Sequence, residues 1–135
     1  SWDGLAPMWK KPVGGGRASF AFAGDRAFTI EQRGRNEVVA AYDVLTGREL
    51  WTSAWPERFS TWMGGGEGPR ATPAWADGLV FALGGHGELR SIAVGPIGKR
   101  IHVLIFTARG AAVRVISLRK ANDREVKLYE EALAG

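Results

Sequence analysis

The chain contains no cysteine, which excludes disulfides, cysteine nucleophiles and thiolate metal sites. With only 2 His and 2 Tyr, few side chains are available for acid–base work. No apolar run approaches the roughly 18 residues needed to cross a bilayer, and no secretory signal is visible. Gly14-Gly15-Gly16 and Gly64-Gly65-Gly66 lack a following Lys-Ser/Thr and helix, which argues against a phosphate loop. Glu57, Glu67 and Asp77 show no metal-ligand spacing, so neither a metal nor a cofactor is expected.

What is present is unevenly distributed. All 6 Trp and 15 of the 19 Gly lie in residues 1–88, where 9 Lys/Arg face 10 Asp/Glu. Residues 89–135 hold 9 Lys/Arg against 4 Asp/Glu, a net +5, and no Trp. Such a change in aromatic, glycine and charge usage marks a seam near residue 89. The expected division is 1–88 and 89–135, either as two units or as one merged fold. The pI near 9.9 originates in the second part and suggests affinity for polyanions.

Residues 1–16, with Pro7, Pro12 and three glycines, read as a loose lead-in with one short strand around Met8–Lys10. Ser19–Ala23 and Arg26–Ile30 flank a Gly24-Asp25 turn, the pattern of a hairpin. Glu37–Tyr42 and Arg48–Thr52 add two strands and complete an antiparallel meander. Ala74–Leu83 then repeats Phe20–Ile30 at an offset of 53, placing Phe81 under Phe28. A restart at 40–55 residues with four strands per unit is the pattern of a propeller or related array.

Ala41-Tyr42-Asp43-Val44-Leu45-Thr46-Gly47-Arg48-Glu49-Leu50-Trp51 resembles the repeat of PQQ-type (quinoprotein-like) β-propellers. Asp43 and Thr46 are suited to closing the turn through side-chain hydrogen bonds, Gly47 to supplying a positive φ, and Trp51 to packing. The resemblance extends over about residues 5–90. It implies a propeller-blade fragment of fewer than two blades and does not imply a bound quinone.

In the basic part, Ile101–Thr107 is almost continuously hydrophobic and reads as a central strand covered on both faces. Ala112–Leu118 follows as a second strand. Asn122 with Glu125 three residues on forms a capping box for a helix from about Asp123 to Leu133, with Val126, Tyr129 and Leu133 as its stripe. The words Ile92-Ala93-Val94-Gly95, Phe106-Thr107-Ala108-Arg109-Gly110, Val113 to Ala121, and Arg124-Glu125 with Tyr129-Glu130 resemble the C-terminal half of a BrnT-type ribonuclease toxin of RelE-like fold. This covers about residues 89–133. The helical segment and basic Lys-His-Gly stretch that open such toxins have no counterpart here. The expected fold is therefore mainly β (α+β), a blade-like meander running into a strand–strand–helix unit.

The toxin resemblance implies RNA and a cognate antitoxin as partners and a cytoplasmic location; the propeller resemblance would imply export. Arg109, Arg114 and Arg119 are the candidate catalytic residues, and Lys99, Arg100, Arg109, Arg114, Arg119 and Lys120 the candidate nucleic-acid contacts. Guanidinium forks suit a scissile phosphate, but no general base is evident, which points away from an efficient enzyme. His102 reads as packed or edge-exposed, and His86 as a turn residue. Arg114 and Arg119, five apart, converge only if their strand ends or bulges near Leu118. Trp55, Phe59 and Trp62 suit either base stacking or packing in a connection. The alternative function is a non-enzymatic propeller-like module that self-associates through unpaired strand edges.

Overall fold

The computed structural model describes residues 4–61 and 66–134. It is mainly β with one helix. The strands are β1 (Ala21–Ala23), β2 (Arg26–Arg33), β3 (Asn36–Asp43), β4 (Glu49–Pro56), β5 (Ser60–Thr61), β6 (Gly66–Glu67), β7 (Ala74–Ala76), β8 (Leu79–Leu83), β9 (Leu89–Ile97), β10 (Arg100–Arg109) and β11 (Ala112–Lys120). The chain then enters α1 (Asp123–Ala134). Two antiparallel meanders result, β1-β2-β3-β4 and β11-β10-β9-β8-β7, with a small β5-β6 pair between them. Neither meander closes into a barrel or propeller.

The offset of 53 is real at the level of pairing. Ala21↔Phe28, Phe22↔Ala27 and Ala23↔Arg26 in β1/β2 reappear as Ala74↔Phe81, Trp75↔Val80 and Ala76↔Leu79 in β7/β8. The turns differ, because φ is positive at Gly24 in the first and at both Asp77 and Gly78 in the second. The Asp43 turn closes as expected. Asp43 Oδ1 accepts from the amides of Leu45 and Thr46 at 2.9 and 2.8 Å, and Gly47 takes φ +69°.

The inner faces of the two sheets pack on one another. Phe28, Ile30, Val39, Ala41, Leu50 and Trp55 of the first meet Val80, Ala82, Ile92, Val103 and Ile105 of the second in one buried cluster. Burial of such side chains contributes about 1.5–3 kcal/mol each, so this shared core is what joins the halves.

Several expectations change here. Residues 8–10 form no strand, yet the lead-in is not loose. Trp9 Nε1 donates to Val44 O at 2.7 Å, Gly14 N donates to Glu31 Oε2 at 2.7 Å, and Lys11 Nζ lies 5.2 Å from the Tyr42 ring centroid. The segment thereby covers the second face of β2 and β3, which are buried along nearly their whole length. The strand β9 continues through Pro96 to Ile97, with the turn at Gly98. Proline is tolerated there because β8 pairs with β9 only over Leu89–Ile92, leaving that edge free.

The strand β10 is covered on one face only. Val103, Ile105 and Thr107 are buried, whereas Leu104 and Phe106 on the outer face are half-exposed. The helix turns a different stripe inward from the expected one. Glu125 is its buried residue and Leu128 packs on the core, while Leu133 is 71% exposed.

Candidate functional site

Strand β11 carries the arginines singled out by sequence, and a bulge decides where they point. Pairing with β10 runs Ile105↔Ser117 and then Phe106↔Val115, which leaves Ile116 as an extra residue. As a result Arg114 lies opposite Thr107 and Arg119 opposite Val103, two β10 residues of the same, inner face. The parity conflict is resolved by a bulge two residues before Leu118.

The six expected cations are nevertheless divided. Arg109 and Arg114 occupy the β10–β11 turn end and are diagonal neighbours on the inner face, about 7–8 Å between backbones. Lys99 and Arg100 sit at the opposite end of β10, with Lys120 beside His102. Five to nine residues of strand, about 17–30 Å, separate the two groups. Arg119 is committed to structure. Its guanidinium grips Glu125 through both terminal nitrogens at 2.8 and 2.7 Å and also donates to Thr52 O of β4 at 3.3 Å. Asn122 and Glu125 complete the capping box, Asn122 N to Glu125 Oε2 at 2.8 Å and Glu125 N to Asn122 Oδ1 at 2.9 Å. Burial alone would raise the Glu125 carboxyl, but Arg119 and the Asn122 amide hold it below its ordinary range.

Around Arg114 the sheets enclose a cleft of about 240 Å³ lined by Trp55, Pro56, Glu88, Arg90, Arg114, Val115 and Ile116. Arg90 forms its floor. Its guanidinium lies 4.7 Å from the Trp55 ring centroid, and its Nη2 donates to Glu57 Oε2 at 2.9 Å and to Glu88 Oε2 at 2.8 Å. Its Nε is buried with no partner among the described residues. Glu88 also accepts from Arg109 Nη2 at 3.2 Å. Arg114 forms no ion pair among the described residues, so its charge is uncompensated.

Glu57 links this cleft to His86. The carboxylate accepts from His86 Nδ1 at 2.8 Å through one oxygen and from Arg90 through the other. Burial would raise the Glu57 carboxyl, but the Arg90 and His86 hydrogen bonds outweigh it and keep it below its ordinary range. An ionised Glu57 orients the imidazole through Nδ1 and leaves Nε2 without a protein partner among the described residues. Beside it, Glu37 is fully buried. It accepts from Gly85 N at 2.6 Å and from Trp55 Nε1 at 3.0 Å, the latter an indole N–H shared with Glu57 at 3.1 Å. Burial pushes the Glu37 carboxyl up despite these donors. Two neighbouring carboxyls driven in opposite directions are the arrangement that divides proton-holding from charge-holding roles.

Sequence reasoning found Arg109 and Arg114 but missed Glu37, Glu57, His86 and Arg90 as a group. The available signal was Gly84-Gly85 before His86. A Cβ at Gly84 would run into the Glu37 carboxylate and one at Gly85 into the Phe59 side chain, so the pair lets backbone approach both. Trp55 is buried and Phe59 packs edge-on against His86 at 5.4 Å, both serving as packing residues. Trp62 lies outside the described residues. His102 Nδ1 contacts Arg100 O at 2.9 Å, far along β10 from the cleft.

The cleft itself is lined by Arg90 and Arg114, while Glu57, His86 and the buried Glu37 adjoin it through Arg90 and Trp55; such an arrangement can hold an anionic group. The family model described as "Ribonuclease toxin, BrnT, of type II toxin-antitoxin system" matches residues 71–125, less than half of the chain. That match begins upstream of residue 89 and takes in β7, β8 and the His86 turn, all read above as a propeller restart. No quinoprotein-like repeat accompanies it. No curated protein and no solved structure matches the chain. No helix among the described residues is long and apolar enough to cross a membrane.

Proposed function

We propose that this chain is a toxin-like RNA-binding protein whose binding surface is the Arg114 cleft, with weak ribonuclease activity at most. The observation that carries this reading is the Ile116 bulge. It turns Arg114 to the inner face beside Arg109 and into the cleft shared with Arg90, whose Nη2 is bonded to the Glu57 carboxylate that holds His86. Arg114, which lines the cleft and has no ion-pair partner among the described residues, is the donor available to a phosphate. His86 Nε2 is the acceptor for a 2′-hydroxyl proton. Turnover should be poor because Arg90 and Arg109 already neutralise Glu57 and Glu88, leaving little positive charge for a developing phosphorane.

The test is an RNA binding and degradation assay on the whole chain beside Arg114→Ala and His86→Ala. Arg114→Ala is expected to weaken binding and lower the salt slope by about 1. His86→Ala is expected to bind as before and to lose the residual cleavage. Binding that did not change between about 50 and 200 mM salt would overturn the RNA reading.

A protein partner is favoured by a separate observation. On the outer face of the five-stranded sheet, Leu83, Leu89, Val113, Val115 and Leu118 are exposed, with Phe106 half-exposed among them. So extensive an apolar face marks an interaction surface. Arg114 and Lys120 on edge strand β11 would repel a second copy paired there, so an acidic polypeptide such as a cognate antitoxin fits better than self-association.

A further inference from the structure

Away from the Arg114 cleft, the two sheets and α1 enclose a second cavity of about 260 Å³. Phe28 and Trp51, whose ring centroids are 5.9 Å apart, form one wall. Trp75 of β7 and Leu128 and Tyr129 of the helix form the others, so the lining is dominated by apolar and aromatic side chains. The charged side chains that line it are Arg26 and Glu125. Glu125 is already satisfied, both oxygens being held by Arg119 and one also by the Asn122 amide. Arg26 is not. Its ion-pair partner among the described residues is Asp25, at a loose 3.8 Å and on an exposed side chain, while the Arg26 side chain is three-quarters buried.

A half-open apolar pocket with one under-used guanidinium on a largely buried side chain has the chemistry of a site for an amphiphilic carboxylate. We propose that this cavity binds a small monocarboxylic acid with an aliphatic or aromatic body. The body lies between Trp51, Trp75 and Leu128, and the carboxylate takes the Arg26 fork. The volume lies below the roughly 300–1,000 Å³ of drug-sized pockets, which restricts the ligand to a short chain or a single ring system. Charge selects the head group. A primary amine of the same chain length would meet Arg26 unfavourably and find Glu125 occupied. An alcohol would keep the apolar contacts and lose the ion pair.

The experiment is fluorescence titration of the whole chain with octanoate, octanol and octylamine, with Trp51 and Trp75 reporting from the cavity wall. Octanoate is expected to change the emission saturably and to bind at least tenfold more tightly than octanol, with octylamine weakest. Arg26→Ala should reduce octanoate affinity at least tenfold, to the level of octanol, and leave octanol within about threefold. Val94→Trp, which fills the cavity, should abolish binding of both while the far-ultraviolet circular dichroism is retained. Equal affinity for acid and amine, an unaffected Arg26→Ala variant, or no saturable response to any ligand would overturn the proposal.

Discussion

Single residues here carry structural weight that their chemistry makes testable. Glu125 is ionised inside the protein, so its contribution to stability is fully present above its ordinary value of 4.5 and is lost as pH falls through its depressed folded value. Glu125→Gln is expected to cost about 1–2 kcal/mol at pH 7, because one charged partner of a half-exposed Arg119 disappears. The gap between variant and parent should close well below pH 4.5, as urea midpoints across pH would show. Gly47 offers a second test. It sits at φ +69° with the Trp9 ring where a Cβ would be, so Gly47→Ala should destabilise by about 1–3 kcal/mol in the same measurement. The Asp43–Gly47 turn was legible because its geometry depends on residues five or fewer apart. The His86–Glu57 pair was not, because its members are 29 positions apart and meet only when the two meanders stack.

Among elements, β11 shows where pattern reading reaches its limit. Its existence and extent follow from alternation, but the extra residue at Ile116 leaves no compositional trace, and it sets which face every later side chain occupies. Inserting one residue into β10 between Ile105 and Phe106, opposite Ile116, should restore regular pairing at the existing five-residue spacing and place Arg114 and Arg119 on opposite faces. Either the Arg119–Glu125 clasp or the Arg114 cleft is then lost. The expected readouts are loss of RNA binding with normal thermal stability, or the reverse, and retention of both would contradict the role given to the bulge. The helix illustrates a different failure. Its capping box was readable from Asn122 and Glu125, but the burial of Glu125 was not, because it depends on the Arg119 clasp from β11.

At the scale of the molecule, composition locates a seam near residue 89, whereas β9 pairs with β8 on one side of that position and β10 on the other. The core is completed only by both meanders, with Phe28, Ile30 and Trp55 supplied by the first. A fragment of residues 89–135 is therefore expected to remain unfolded on its own, giving poorly dispersed amide resonances. A well-dispersed spectrum would favour an autonomous second unit. The last residues also seal the first sheet: Arg119 and Arg124 donate to Thr52 O and Glu49 O of β4, a strand with no neighbour beyond it. During synthesis these carbonyls emerge about seventy residues ahead of their guanidinium partners. A nascent chain stalled in that interval would expose an open ribbon to its neighbours on the polysome, so chaperone demand should peak before translation ends.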